Sequence, residues 1–392
     1  MSAVATFIKD IKGDKVIWMI GFILCITSIM AVYSATSSMA YQSMGGNPQR
    51  FLYQQLGFIA LGAISTYMCY RIHYMRYAQL SKIIFLITLV MLIYTLFFGF
   101  EVHQARRWIE LPFIHKTIQT SDVAKIGLII FLSHSLAKRQ ETIKSFKQAF
   151  LPILLPVILV CGLIVSSDLS TAALLFVTCI MLMFIGRVDM KYIFMLVGIG
   201  IFAFLLIFML GTIFPEHIRT ETWISRFNEF FTEGGHQVVQ SKIAIANGEF
   251  LGVGPGNSVQ KNYLPYAYAD FIYAVICEEY GLIGGVVMLG LYLWLLFRCT
   301  IMVTKCPKTF GAILAYGLCL NLVLQAFANI AVSVHLVPAT GLTLPLVSMG
   351  GTSLLFTCIS LGIILSVSKY VQEARIKQLE LQEIEKLDES NN

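Results

Sequence analysis

Long apolar stretches separated by short polar ones recur along almost the whole of this 392-residue chain. A hydrocarbon core of about 30 Å is crossed by about 20 residues rising 1.5 Å each in an α-helix, and stretches of about 18 apolar residues or more serve that purpose. The pattern predicts an all-α polytopic membrane protein with about ten transmembrane helices, over 16–36, 51–70, 78–98, 121–137, 149–166, 170–185, 190–213, 270–297, 309–334 and 350–368. One interval breaks the rhythm. The segment 214–269 is longer than a connection needs, so it is read as a functional, partly structured loop. Within it, Trp223, Ile224, Phe227, Phe230 and Phe231 fit a short interfacial helix, and Val238 to Ile245 fit a second. Three parts follow: an N-terminal segment 1–15, a helical domain 16–368, and a tail 369–392 whose alternating Glu, Lys, Gln and Leu read as a polar helix fraying into disorder.

Composition supports lipid as the solvent. Hydrophobic residues make up 57% and charged residues 13%, whereas roughly a quarter of a water-soluble domain is charged. Lys9, Lys12 and Lys15 precede an apolar run too long for a signal-peptide core and lacking a cleavage pattern, so the first span is retained. The net charge of +6 sets orientation rather than pointing to nucleic acid. An even number of spans puts both termini on one side. That side collects most of the basic residues, among them Arg71, Arg76, Lys138, Arg139, Arg298 and Lys305, which makes both termini cytoplasmic and the 214–269 loop extracytoplasmic. The nine cysteines lie singly in apolar runs, as do Cys25, Cys161, Cys179 and Cys319, and read as packing. The seven histidines form no helical pair, so no protein-bound metal is expected, and no cofactor is evident in the sequence. No inverted halves of the kind many carriers show are visible, which weighs against a transporter.

Under this topology the unusual polar segments all fall on the outer face: Ala105 to Trp108, Gln119 to Asp122, Ser166 to Thr171, the long loop, and Pro338 to Gly351. Asp270 stands at the outer mouth of the eighth span, as a helix cap or as a reacting carboxylate. Glu278 and Glu279 lie about 12–13 Å deeper, where carboxylates need partners; a structural polar network and direct chemistry both fit. Lys125, one turn beyond Asp122, either meets a substrate phosphate or pairs with a buried acid. Arg106 and Arg107 beside Trp108 are either a snorkelling anchor or a binding fork for an anionic lipid headgroup. Gly252-Val253-Gly254-Pro255-Gly256, followed by Asn257, Ser258 and Lys261, is either a pyrophosphate cradle or a plain turn.

Taken together and in order, these segments resemble the SEDS family (shape, elongation, division and sporulation), the lipid II polymerases of bacterial wall synthesis. The resemblance spans nearly all of the helical region. It rests on Ala105-Arg106-Arg107-Trp108-Ile109, Gln119 to Lys125, Asp168-Leu169-Ser170-Thr171-Ala172, Asn247-Gly248-Glu249 through Gly256, Leu264 to Gly281, and Pro338-Ala339-Thr340-Gly341 through Gly350-Gly351-Thr352-Ser353. The double arginine, the Gln237 to Ala246 stretch and Gly254-Pro255-Gly256-Asn257-Ser258 look more like the division member than the elongation member. Departures are mild: Thr120 and Asp122 stand where the family has Pro and Glu, Ser167 replaces Pro, Ala269 replaces Thr, and Met349 replaces Tyr.

The resemblance implies a peptidoglycan glycosyltransferase that joins lipid II units on the outer face of the bacterial cytoplasmic membrane, in septal wall synthesis. Undecaprenyl pyrophosphate is then the leaving group. Asp270 matches the family's catalytic aspartate. Substrate contacts are expected from Arg106, Arg107, Lys125, Lys261, Gln119, Ser121, Asp168, Glu278 and Glu279, with a loosely bound divalent cation as a possible helper. The implied partners are a class B penicillin-binding transpeptidase and other division proteins. Three other readings stand beside this one: an elongation-type polymerase, a flippase motivated by the intramembrane charges, and a non-catalytic division scaffold.

Overall fold

The computed structural model describes residues 12–43, 49–102, 105–110, 117–213, 220–232 and 235–391. Among the described residues ten helices form the bundle: α1 (Lys15–Ser43), α2 (Gln49–Arg71), α3 (Met75–Phe98), α4 (Thr120–Lys138), α5 (Leu151–Val165), α6 (Leu169–Ile185), α7 (Met190–Ile213), α10 (Ile272–Thr304), α11 (Thr309–Ser333) and α12 (Thr352–Asn391). Two shorter helices, α8 (Thr220–Phe231) and α9 (His236–Gly248), lie in the long loop where the apolar spacing predicts them. Of the bundle helices, α1, α3, α7, α10, α11 and α12 are long and apolar enough to cross a membrane unaided. The other four are shorter or more polar, α5 being 15 residues and α6 17, and a π-helical turn at Phe146–Phe150 lengthens α5 on its N-terminal side. This is a multi-pass membrane protein.

The bundle is organised around α11, which packs against α4, α6, α10 and α12. Of its spanning residues 78% are buried, against 11% for α7, so α11 is the axis of the bundle and α7 a lipid-facing outrider. At one end of the bundle the fold is pinned by Asp14, which accepts from the N–H of Val16 at 2.9 Å to cap α1 and also receives Arg298 of α10 at 2.6 Å.

Two features differ from the sequence reading. Between α3 and α4 lies a small antiparallel sheet, β1 (Phe100–Val102), β2 (Ala105–Glu110) and β3 (Thr117–Gln119), in that order. Strands of three residues are too short to show a period against the apolar background, although Val102, Trp108, Ile109, Thr117 and Ile118 are strand formers. The tail does not fray after 368 but continues α12 to Asn391, because Glu, Lys, Gln and Leu are all strong helix formers.

The helix that leads away from Asp270 is broken. Gly281 in α10 has φ +67 and ψ −169, which interrupts the helical hydrogen bonds around it. The segment after α9 repairs the gap. Val253 and Gly254 donate N–H groups to the carbonyls of Glu278 and Glu279, both at 3.0 Å, and Leu282 donates to the carbonyl of Glu249 at 2.8 Å. Irregular backbone inside a membrane protein persists only where other protein groups satisfy it, and this seam does so. Gly252 (φ +83) sits so close to the Glu279 carbonyl that a Cβ would overlap it. The glycine-rich stretch therefore serves as the turn of the two alternatives, with the N–H groups of Val253 and Gly254 spent on α10.

Candidate active site

Asp270 closes the long loop one residue ahead of the α10 N-cap, which is Phe271 and has no side-chain cap. The capping role is thus not the one its carboxylate fills. The backbone around it is tightly held. Asn329 of α11 donates its amide to the Asp270 carbonyl at 2.7 Å and to the Leu342 carbonyl at 2.6 Å. Ser348 donates to the Ala269 carbonyl at 2.5 Å, and Met349 N–H donates to the Tyr268 carbonyl at 3.0 Å. The 338–351 loop is stitched in this way to the residues on either side of the acid, while the carboxylate itself receives no hydrogen bond from the described residues.

That carboxylate lines a polar cavity of about 530 Å³ together with Arg226, Glu229, His236, Gln237 and Asn329. Gly341, in the left-handed region at φ +70, borders it: a Cβ there would stand 3.7 Å from Asp270 Oδ2, an ordinary van der Waals contact. Burial pushes the Asp270 carboxyl up to about 6, against the opposing fields of Arg226 and Arg107 and with a further upward push from Asp168. A partly buried acid poised near neutrality among cations can accept a proton from an alcohol.

A second space, an open and mostly apolar groove of about 540 Å³, runs from Arg107 and Asp168 along α6, α8 and α11. It shares Arg226, Ala339, Thr340 and Leu342 with the polar cavity. A third, wholly apolar cleft of about 340 Å³ between α5, α6 and α7 shares Leu169 and Ala173 with the groove. Arg107 on β2 donates Nε to the Ser167 carbonyl at 2.7 Å and pairs with Asp168 at 3.3 Å. Asp168 in turn caps α6 through Thr171, accepting from its N–H at 3.1 Å and its hydroxyl at 2.9 Å. Arg226 on α8 donates to the Ala339 carbonyl at 3.1 Å.

Of the expected site residues, Asp270, Arg107 and Asp168 come together at these spaces. Arg106 sits on β2 opposite Glu101, and its side chain lies outside the described residues. The others line neither the cavity nor the groove. Lys125 is buried and pairs with Asp122 at 2.7 Å and with Gln325 at 2.9 Å; Gln325 then holds the Thr343 carbonyl at 3.0 Å. Of its two alternatives, then, Lys125 takes the buried ion pair and braces the 338–351 loop. Gln119 spends its amide on Ser121 at 3.0 Å, and Ser121 is buried at the start of α4. Glu278 is fully buried and accepts from the Ser258 hydroxyl and the N–H groups of Val259 and Gln260. Glu279 accepts from Ser34, which Lys261 also reaches at 3.3 Å while donating to the Gly256 carbonyl at 2.7 Å. These two acids and Lys261 form the polar network that was the other reading, tying the loop to α1 and α10.

Arg226 and Asn329 were missed. Each carried a signal: Arg226 interrupts an otherwise apolar stripe of Trp223, Phe227 and Phe230 at helical spacing, and Asn321, Gln325 and Asn329 repeat every four residues within an apolar span. Among the described residues no group of three His, Cys, Asp or Glu side chains could hold a metal ion.

The family model that matches the chain, over residues 14–373, is that of FtsW, RodA and SpoVE, described as cell cycle protein. The chain belongs to this family. Among curated relatives it is 31% identical over 360 residues to a probable peptidoglycan glycosyltransferase FtsW of Nitrosococcus halophilus, covering 90% of this chain and 91% of that one. It is 34% identical over 363 residues to the protein of the same description from Alkalilimnicola ehrlichii, covering 89% and 86%. Solved structures agree with the fold. One, described as showing structural coordination of polymerization and crosslinking by a peptidoglycan synthase complex, superposes with TM-score 0.68 at 25% identity, over 92% of this chain and 98% of that one. The rod shape determining protein RodA of Thermus thermophilus superposes with TM-score 0.65 at 24% identity, over 91% and 97%.

Proposed function

We propose that this chain is a peptidoglycan glycosyltransferase that polymerises lipid II on the outer face of the cytoplasmic membrane, with Asp270 as general base. The observation that carries the proposal is the junction at Arg226. There, a polar cavity holding a carboxylate with no hydrogen-bond partner among the described residues meets an apolar groove, as a substrate with a sugar at one end and a lipid at the other requires.

In the reaction, Asp270 takes the proton of an acceptor sugar hydroxyl as its oxygen bonds to the anomeric carbon of the donor. The bond from that carbon to the donor diphosphate breaks, and the electron pair leaves with the diphosphate, which needs no second acid. The proton then passes from Asp270 to water. Arg107 and Arg226 stabilise the charge that develops on the diphosphate, and a divalent ion carried by the substrate phosphates would share that task. The named activity of the FtsW relatives supports this reading. Their description as FtsW also favours a septal role, with a class B penicillin-binding transpeptidase as partner, over an elongation role. The flippase reading loses its motive, since Lys125, Glu278 and Glu279 are all engaged in fixed pairs.

Purified full-length protein, supplied with its transpeptidase partner, is expected to convert lipid II into glycan strands. Asp270→Asn is expected to lower that rate by about 10²–10⁴ while melting no lower than the wild type. Undiminished polymerisation by Asp270→Asn would remove the acid from the mechanism.

A further inference from the structure

Helices α3 and α4 run antiparallel in a register fixed by three contacts. The Thr95 hydroxyl donates to that of Thr120 at 3.1 Å, Gly127 lies so close to Thr88 that a Cβ would overlap its hydroxyl, and the rings of Phe85 and Phe131 stack at 4.4 Å. Carried one turn further, the register sets Lys82 opposite His134, with Lys138 and Arg139 following where α4 ends. This is the end of the bundle that Asp14 occupies, since Tyr74 ahead of α3 meets Tyr370 of α12 at 5.0 Å and Gln372 of α12 holds Gly13. The charges of Lys138, Lys82 and Arg139 all act on the His134 ring, which stands edge-on to Phe310 of α11 at 6.1 Å. Lys82 and Lys138 are exposed, and among the described residues none of the three cations is paired with a carboxylate, Glu141 included. Three like charges converging on one ring repel one another, and an anion in their midst removes the cost.

The cluster stands at the end of an apolar stripe. Leu86, Val90 and Ile93 follow Lys82 at helical spacing on α3, and all three are exposed. From Lys82 to Ile93 the helix rises about 16 Å, about half of a hydrocarbon core of about 30 Å. We infer that the seam between α3 and α4 is a binding site for an anionic phospholipid of the inner leaflet. Lys82, Lys138 and Arg139 hold its phosphate, and its acyl chains lie along Leu86, Val90 and Ile93. The guanidinium fork of Arg139 meets phosphate oxygens in pairs, the two ammonium groups act as point charges, and His134 can add a ring N–H. A soluble phosphate would answer the cations and leave the stripe bare, so a ligand with both parts fits better. A zwitterionic lipid brings an ammonium of its own, which the cluster repels. The seam lies at the opposite end of α4 from Thr120 and is separate from the space around Asp270.

The test titrates the full-length protein, in a zwitterionic detergent, with phosphatidylglycerol and with phosphatidylethanolamine of the same acyl chains, and counts bound lipids by native mass spectrometry. The wild type is expected to hold phosphatidylglycerol about tenfold more tightly or better. The triple variant Lys82→Gln, Lys138→Gln and Arg139→Gln is expected to weaken phosphatidylglycerol by about 10–100-fold and to erase the preference. Lys82→Arg with Lys138→Arg keeps the charges and is expected to keep the preference, which separates a lost site from a lost fold. Lys144→Gln with Lys147→Gln removes two exposed cations that are not among those acting on His134, and is also expected to keep it. A preference that survives the triple substitution would overturn the inference. So would its equal loss in the Lys144 and Lys147 variant, which would make the effect one of bulk charge. Competition by glycerol phosphate at the concentration of the lipid would also sink it, by making the seam a site for soluble phosphate.

Discussion

A carboxylate that takes a proton from an alcohol works only while ionised, and Asp270, pushed up to about 6 by burial, makes that change just below neutral pH. Polymerisation is expected to fall by about tenfold per pH unit below 6 and to level off above about 7, measured as initial rates in a series of buffers. Stability should move the other way. The folded-state value lies above the ordinary 3.8, so the contribution of this group is present while it is protonated and is lost as pH rises through about 6. Asp270→Asn is therefore expected to gain about 1–2 kcal/mol relative to the wild type between pH 4.5 and pH 7.5, seen as a growing difference in melting temperature. Asp270 was legible in the sequence because a lone acid at the mouth of an apolar span stands out. Arg226 was passed over, although the stripe it interrupts was readable, because a single cation on an interfacial helix ordinarily snorkels to water.

At the scale of elements, the seam between the glycine-rich turn and α10 is the feature most exposed to substitution. Gly252→Ala must place a methyl group against the Glu279 carbonyl at a backbone conformation side chains rarely adopt, and is expected to cost about 2–4 kcal/mol. A fall in detergent melting temperature would measure it; an unchanged melt would mean the seam does not hold the loop. The pair within α4 gives a second test. Lys125→Met leaves the buried Asp122 charge without its partner and is expected to cost about 3–5 kcal/mol, whereas the double variant Lys125→Met with Asp122→Asn should recover most of the loss. Most of the bundle was readable beforehand, since span length and apolarity are set by lipid thickness. The three-stranded sheet was not, because its pairing is decided between segments and not within them. The same holds for the duties of Glu278, Glu279 and Lys261, whose partners are as much as 245 residues away in sequence.

For the whole molecule, the arrangement fixes which surfaces meet which solution. Three bundle helices, α10, α11 and α12, separate the Asn257 turn from the C-terminal end of α12, so the two are expected on opposite faces of the membrane. In intact spheroplasts, Asn257→Cys is expected to react with a membrane-impermeant maleimide, whereas Lys377→Cys should react only after lysis; the reverse pattern would invert the topology. The apolar groove beside α6 and α8 has a further consequence. An apolar groove that receives a lipid tail is filled by drift within a sheet and not by collisions from bulk water. Turnover would then follow the number of precursors per unit of bilayer area, so diluting vesicles at constant lipid composition should leave the speed untouched, while thinning the precursor within each vesicle should slow it.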